Sequence, residues 1–159
     1  MPDASAKLAA GSRVEMTQFV MPGDGNSHGT AFGGRIMQWL DLAAAMACMR
    51  HCRMPVVTAS LDRLDFIAPV RVGEMAILRA QLNASFGSSM EVGAEVWAEN
   101  PISGERRKCC DAFLTFVALG PDGRPARVPL LLAETEEEAR RLDEARERRA
   151  ARLAQRRKG

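Results

Sequence analysis

The stretch Gly33-Gly34-Arg35-Ile36-Met37-Gln38-Trp39-Leu40-Asp41-Leu42-Ala43-Ala44-Ala45-Met46-Ala47-Cys48-Met49-Arg50-His51-Cys52 decides the fold. Ile36, Met37, Leu40, Ala43, Ala44, Ala47 and Cys48 recur at i, i+3, i+4, i+7, the period of one helix face. Leu42, Ala45 and Met46 carry apolar character around the rest of the cylinder. A helix of this kind needs cover on nearly all sides, more than one sheet provides, so a second subunit is expected against it. Asp41 is its only acid, flanked by Leu40 and Leu42.

On either side of this helix the period changes to two. Val14 to Val20 form a first strand before the turn-rich Pro22-Gly23-Asp24-Gly25-Asn26. After Pro55, residues 56–67 alternate up to the break at Pro69, with Val56, Thr58, Ser60, Asp62, Leu64 and Phe66 on one face. A further strand follows Gly73, and Phe86-Gly87-Ser88-Ser89 turns the chain into Met90 to Glu99. Asn100 to Gly104 turn it again, into a last strand from Lys108 to Leu119. One helix and a run of strands joined by short turns predict an α+β fold, a mainly antiparallel sheet with the helix laid on it.

Domain bounds follow from composition. Residues 1–12 are small and polar and are expected to be poorly ordered, residues 13–130 form the domain, and residues 131–159 form a charged tail. In that tail Thr135-Glu136-Glu137-Glu138 reads as a capping box opening a helix, with Arg152, Arg156, Arg157 and Lys158 towards its end.

With 159 residues, 47% apolar and 26% charged, the chain is an ordinary globular domain, and its net charge of +2 gives no global pull towards nucleic acid or anionic membrane. No segment approaches the eighteen or so apolar residues of a membrane span, and no secretory signal opens the chain, so a cytoplasmic protein is expected. Cys48, Cys52, Cys109 and Cys110 lack metal-site spacing and read as reduced thiols; no metal is expected.

Chemistry concentrates at the start of the helix. Gly33 and Gly34 leave its first N–H groups unshielded, a site suited to a carbonyl or oxyanion, and Asp41 stands about two turns further on. A carboxylate in such apolar company acts as a base or nucleophile, or meets a partner at a subunit interface; pairing with Arg35 or a wet helix edge is the plainer alternative. Asn26 can donate to a carbonyl or supply a left-handed turn. His28 reads as a lining or structural residue, and His51 as a helix-dipole partner or interface residue. Ser88 and Ser89 lie outside any nucleophile elbow and suit a phosphate or pantetheine contact. Arg106-Arg107-Lys108 suits a nucleotide phosphate, or alternatively a charged strand end.

Taken together, Asn26, Phe32-Gly33-Gly34, Leu40-Asp41, Arg50-His51-Cys52 with Val57-Thr58-Ala59-Ser60, and Phe66-Ile67-Ala68-Pro69-Val70-Arg71-Val72-Gly73 resemble the acyl-CoA hydrolase branch of the hotdog thioesterases over residues 14–120. That resemblance implies an antiparallel sheet wrapped around one central helix, and dimers with a continuous sheet, commonly assembled as trimers of dimers. It implies active sites between subunits, with Asn26 and Asp41 catalytic and contributed by opposite subunits, and the Gly34 N–H facing the thioester carbonyl. His28, Phe32, Gly33, Ser88, Ser89, Arg106, Arg107 and Lys108 fall where relatives approach substrate, although some relatives carry a Tyr where this chain has Arg107. Coenzyme A enters as part of the substrate, fatty acyl-CoA, and no separate cofactor is implied. The rival readings are a hotdog hydratase or dehydratase, which would use a His with an Asp, and a non-catalytic acyl-CoA sensor.

Overall fold

Gly33–Cys52 form the expected helix, α1; of the i, i+3, i+4 stripe Ile36, Leu40, Ala43, Ala44, Ala47 and Cys48 are buried, joined by Trp39, His51 and Cys52, whereas Met37 is exposed. No side chain caps its start, where the Arg35 and Ile36 N–H groups both donate to the Phe32 carbonyl. It ends on Arg53, a non-glycine residue in the left-handed region (φ 54°), whose N–H donates to the Met49 carbonyl. The computed structural model describes residues 5–158, the side chain of Lys158 excepted.

One face of α1 lies on a five-stranded antiparallel sheet built from β2 (Val14–Phe19), β3 (Val56–Phe66), β4 (Met75–Phe86), β5 (Ser89–Glu99) and β6 (Arg106–Ala118), in the order β2-β4-β5-β6-β3. Short turns with Gly87 (φ 63°) and Gly104 (φ 76°) join β4 to β5 and β5 to β6. β3 departs from the strict alternation expected of it. Bulges at Ala59 and Asp62 turn the strand twice, so that Leu61 pairs with the core residue Leu114 and shares the helix face with Thr58 and Leu64. β3 is also an edge strand, its second side unpaired among the described residues.

Two expectations about the chain ends need correction. Lys7–Leu8 form a short strand, β1, paired in parallel with β7 (Leu131–Leu132), and Ser12 is buried, its hydroxyl accepting the Leu82 N–H at 3.0 Å. Residues 7–12 are therefore part of the folded body; residues 1–4 lie outside the described ones. The tail helix, α2 (Glu136–Lys158), starts as expected, with the Thr135 hydroxyl accepting the Glu138 N–H and the Glu138 carboxylate accepting the Glu134 N–H. It is not a solvated appendage. Ala145 is fully buried, and Arg148 forks onto Glu91, 1% exposed on the outer face of the sheet, at 2.6 and 3.1 Å while stacking 3.7 Å over the Phe113 ring. Arg152 reaches Asp62 of the β3 bulge at 2.7 Å. Among the described residues no helix is long and apolar enough to cross a membrane.

Candidate active site

The entry to α1 is built by two loops that brace each other. Residues 25–31 pair with the connection between β3 and β4: Ala31 N–H donates to the Val70 carbonyl at 2.8 Å, and Val72 N–H to the Gly29 carbonyl at 2.9 Å. The fit is close, since a Cβ at Gly25 would sit 2.5 Å from Val72 Cγ2. Within this loop Asn26 does not adopt the left-handed backbone considered for it; Gly29 does (φ 78°). The Asn26 carboxamide instead folds over the turn, Oδ1 accepting from the His28 and Thr30 N–H groups at 2.9 and 3.2 Å and Nδ2 donating to the Thr30 hydroxyl at 2.9 Å. One Nδ2 hydrogen remains free to donate. His28 is exposed, and its ring has no hydrogen-bond partner among the described residues.

Beside this loop the Gly33 and Gly34 N–H groups, the first of α1, have no acceptor among the described residues. A Cβ at Gly34 would meet nothing within 4 Å, and at Gly33 only the Phe66 ring, at 3.5 Å. Both glycines are exposed, and Gly33 lines an apolar pocket of about 350 Å³ together with Ala31, Ile36, Phe66, Val70 and Cys109. Phe32, in the chain between the lining residues Ala31 and Gly33, is half exposed. The arrangement sets an apolar wall beside two unpaired donors with a helix dipole behind them, which suits a carbonyl carried on an apolar chain.

Asp41 is half-buried and is not paired with Arg35, which salt-bridges Asp24 at 3.1 Å. Its Oδ1 accepts the Thr58 hydroxyl at 2.6 Å, a contact from the edge strand to the middle of the helix, and Oδ2 has no partner among the described residues. The sequence carries no signal for Thr58 as a site residue, because a Thr in a strand is unremarkable. Gly34 and Asp41 are seven residues apart, on one side of the helix and roughly 10 Å apart along its axis. That separation is more than a single carbonyl group spans.

The remaining candidates are scattered. Arg106 pairs with Glu99 at 2.6 Å, Lys108 with Asp111 at 2.7 Å, and Arg107 forks onto Glu74 at 2.6 and 2.7 Å. Each cation is thus matched by an acid, and hydrogen bonding to these partners holds the Glu74 carboxyl below the ordinary carboxylate range and raises Lys108 above the usual ammonium value. Lys108 lines a different hollow, of about 550 Å³ on the outer face of the sheet beneath α2, away from the pocket at Gly33. Ser88 sits in the β4–β5 turn and Ser89 opens β5, its Oγ donating to the Phe86 carbonyl at 3.3 Å. That turn and Arg106 lie at opposite ends of β5, about 30 Å apart, so one chain does not bring them to the same ligand.

His51 is an internal tie, not an exposed interface residue: 2% exposed, its Nε2 lies 2.8 Å from the Pro129 carbonyl, and burial pushes its pKa below the ordinary value. All four cysteines are free and buried; burial pushes Cys110 up to about 12 and the others upward as well.

Residues 28–105 match the Thioesterase superfamily. The chain is 40% identical over 138 residues to the uncharacterized acyl-CoA thioester hydrolase YkhA of Bacillus subtilis, covering 87% of this chain and 80% of that one. This chain belongs to the thioesterase superfamily. It is also 33% identical over 139 residues to the human cytosolic acyl coenzyme A thioester hydrolase, covering 86% of this chain but 37% of that one, so it spans about a third of that relative's length. Among solved structures it superposes on an apo-hexameric acyl-CoA thioesterase with a TM-score of 0.91 at 36% identity, covering 95% of this chain and 97% of the other. An acyl-CoA hydrolase from Staphylococcus aureus, in complex with butyryl coenzyme A, coenzyme A and coenzyme A disulfide, matches with a TM-score of 0.88 at 34% identity over 95% and 92% of the chains. That enzyme has also been solved as single alanine variants of an Asn, an Asp and a Thr, spaced 15 and 17 residues apart in that order. The expected hotdog architecture, an antiparallel sheet around one long helix, is the one observed.

Proposed function

We propose that this protein hydrolyses fatty acyl-CoA thioesters to the free acid and coenzyme A, at sites shared between two subunits. The observation that carries the reading is the pairing of unlike groups along one side of α1: uncapped Gly33 and Gly34 donors at its entry and a Thr58-held carboxylate two turns on. Facing helices of a dimer related by a two-fold axis bring the donors of one chain opposite the acid of the other. The exposed apolar residues Met37, Leu42 and Met49 on α1 and Leu61 and Phe66 on one face of β3 suit burial against such a partner. So does the unpaired β3 edge, which suits a continuous sheet across the dimer. Assembly as a trimer of dimers agrees with the hexameric relative.

In this reading the thioester oxygen sits against the Gly34 N–H and Asn26 Nδ2, which stabilise the charge that develops on it. Asp41 takes a proton from water as the water adds to the carbonyl carbon; the C–S bond then breaks, and the coenzyme leaves as a thiolate that takes up the proton. Direct attack by Asp41, giving a mixed anhydride that water then opens, uses the same groups. Asn26, Asp41 and Thr58 have the same spacing as the three residues varied in the S. aureus hydrolase, which supports assigning them together. The reduced, buried thiols agree with work in a cytoplasmic compartment. The test is thiol release from acyl-CoAs of graded chain length by the wild-type protein and by Asp41→Asn. The expected result is turnover by the wild type and its loss in the natively assembled variant; equal turnover by both would overturn the assignment.

A further inference from the structure

We propose that Arg107 is a positioning residue that sets the Asn26 loop, and not a contact for the phosphates of the coenzyme; the inference rests on the hydrolase reading above. Of the three consecutive cations on β6, Arg107 is the one that forks onto a buried acid. Its Nη1 and Nη2 donate to Glu74 Oε2 and Oε1 at 2.7 and 2.6 Å, and Nη2 also donates to the Pro69 carbonyl at 2.6 Å. Glu74 is 7% exposed, and its Oε1 additionally accepts the Arg71 N–H at 2.7 Å. The planar guanidinium thus clamps the turn from Pro69 to Glu74 at both ends, which a single ammonium does less completely.

This turn is the surface on which the catalytic loop is laid. Val70 and Val72 make the backbone bonds to Ala31 and Gly29, Arg71 bridges Thr30, and Thr30 holds Asn26 through its backbone, amide and hydroxyl. From Arg107 to Asn26 the path therefore runs through hydrogen bonds of 3.2 Å or shorter, those between the two loops joining backbone to backbone. Taking a phosphate on the same Nη fork would require the guanidinium to leave Glu74, stranding a nearly buried carboxylate without its cation. The arrangement favours a fixed brace. Displacing the loop by about 1 Å would move Asn26 Nδ2 off the thioester oxygen and slow the chemical step by on the order of tenfold to a hundredfold.

The experiment compares wild type, Arg107→Gln, Arg107→Lys and Glu74→Gln in thiol release from an acyl-CoA and from the matching S-acyl-pantetheine, which has the thioester but no phosphate. Hydrogen exchange of the amides at 29–31 and 72 is followed in the same proteins. The expected result is a fall in kcat by a similar factor on both substrates for Arg107→Gln and Glu74→Gln, with KM changed less than about twofold, partial recovery in Arg107→Lys, and faster exchange confined to the loop. A loss confined to acyl-CoA and expressed in KM would overturn the proposal in favour of a phosphate contact. Unchanged kcat with only a lower Tm would overturn it in favour of a purely stabilising pair. Wild-type protein silent on both thioesters would remove the hydrolase reading itself, while unchanged loop exchange in Arg107→Gln would separately remove the brace.

Discussion

The Thr58 hydroxyl donates to Asp41 Oδ1 at 2.6 Å, joining the edge strand β3 to the middle of helix α1. The bond occupies one carboxylate oxygen and fixes the direction of the other. Thr58→Val is therefore expected to lower kcat by about ten- to a hundredfold, the range for losing one hydrogen bond to a charged group, and Thr58→Ser to retain most of it. Asp41→Asn falls further, by about a hundredfold to ten-thousandfold for loss of a general base. Steady-state thiol release, read on fractions with the wild-type elution volume, checks the order; a fully active Thr58→Val sinks the positioning role.

Separation of the Gly34 donors from Asp41 along one helix predicts complementation between inactive chains. Asn26→Ala and Asp41→Asn, each inactive alone, are unfolded together and refolded as a mixture. Random pairing makes half of the dimers mixed, each with one intact site, so about a quarter of wild-type activity returns. If both groups served the same chain, the mixture would stay inactive.

The outward apolar side of α1 should be intolerant of charge. Leu42→Glu, at a residue half exposed in the single chain, is expected to give a smaller species by sedimentation and to lose turnover with it. A Leu42→Glu protein of wild-type size and activity speaks against this face as the subunit contact.

Much of the site's framework was legible in the sequence, for identifiable reasons. Gly33-Gly34 and the apolar stripe are local signals, and α1 begins and ends where they do. What escaped depends on register. The partners of Arg106, Arg107 and Lys108 are Glu99, Glu74 and Asp111, brought alongside by neighbouring strands and a turn, so the ion pairs of this basic triplet are not visible in the sequence. Thr58 escaped for the same reason: only the crossing of β3 over α1 gives it Asp41. The Asn26 turn, by contrast, is local chemistry, a short side chain bonding N–H groups two and four residues on, and its reading as a left-handed residue mistook the neighbouring role of Gly29.

Arg148 and Glu91 make the tail helix part of the fold's stability. Arg148→Met leaves a carboxylate that is 1% exposed without its cation, a change expected to cost about 3–5 kcal/mol and to lower Tm by roughly 6–20 °C for a chain of this size. Adding Glu91→Leu to it is expected to restore most of the loss. Thermal unfolding of the single and double variants checks this; a harmless Arg148→Met would show that α2 does not hold the sheet.

His51 predicts a weakening on the acid side. Its folded pKa is depressed, chiefly by burial, while the unfolded chain takes up a proton near 6.5, so stability present above that pH is lost as pH falls below it towards the folded value. Nearby Lys7, which donates to the His51 carbonyl at 2.9 Å, adds repulsion to any charge placed there. Tm should drop between pH 7 and pH 5.5, and His51→Gln should flatten that part of the curve; an equal drop in both proteins would assign it elsewhere.

The two bulges of β3 set a constraint of a different kind. At Ala59 and Asp62 the strand turns so that Thr58 meets α1 on one face while Asp62 meets Arg152 of α2 on the other. Substitutions along β3 alter one contact at a time, whereas inserting or deleting a single residue between 56 and 66 rotates every following side chain to the wrong face. Natural length variation should therefore collect in the exposed turn at 100–105 and be absent from this strand, whose residue count matters as much as its residue types.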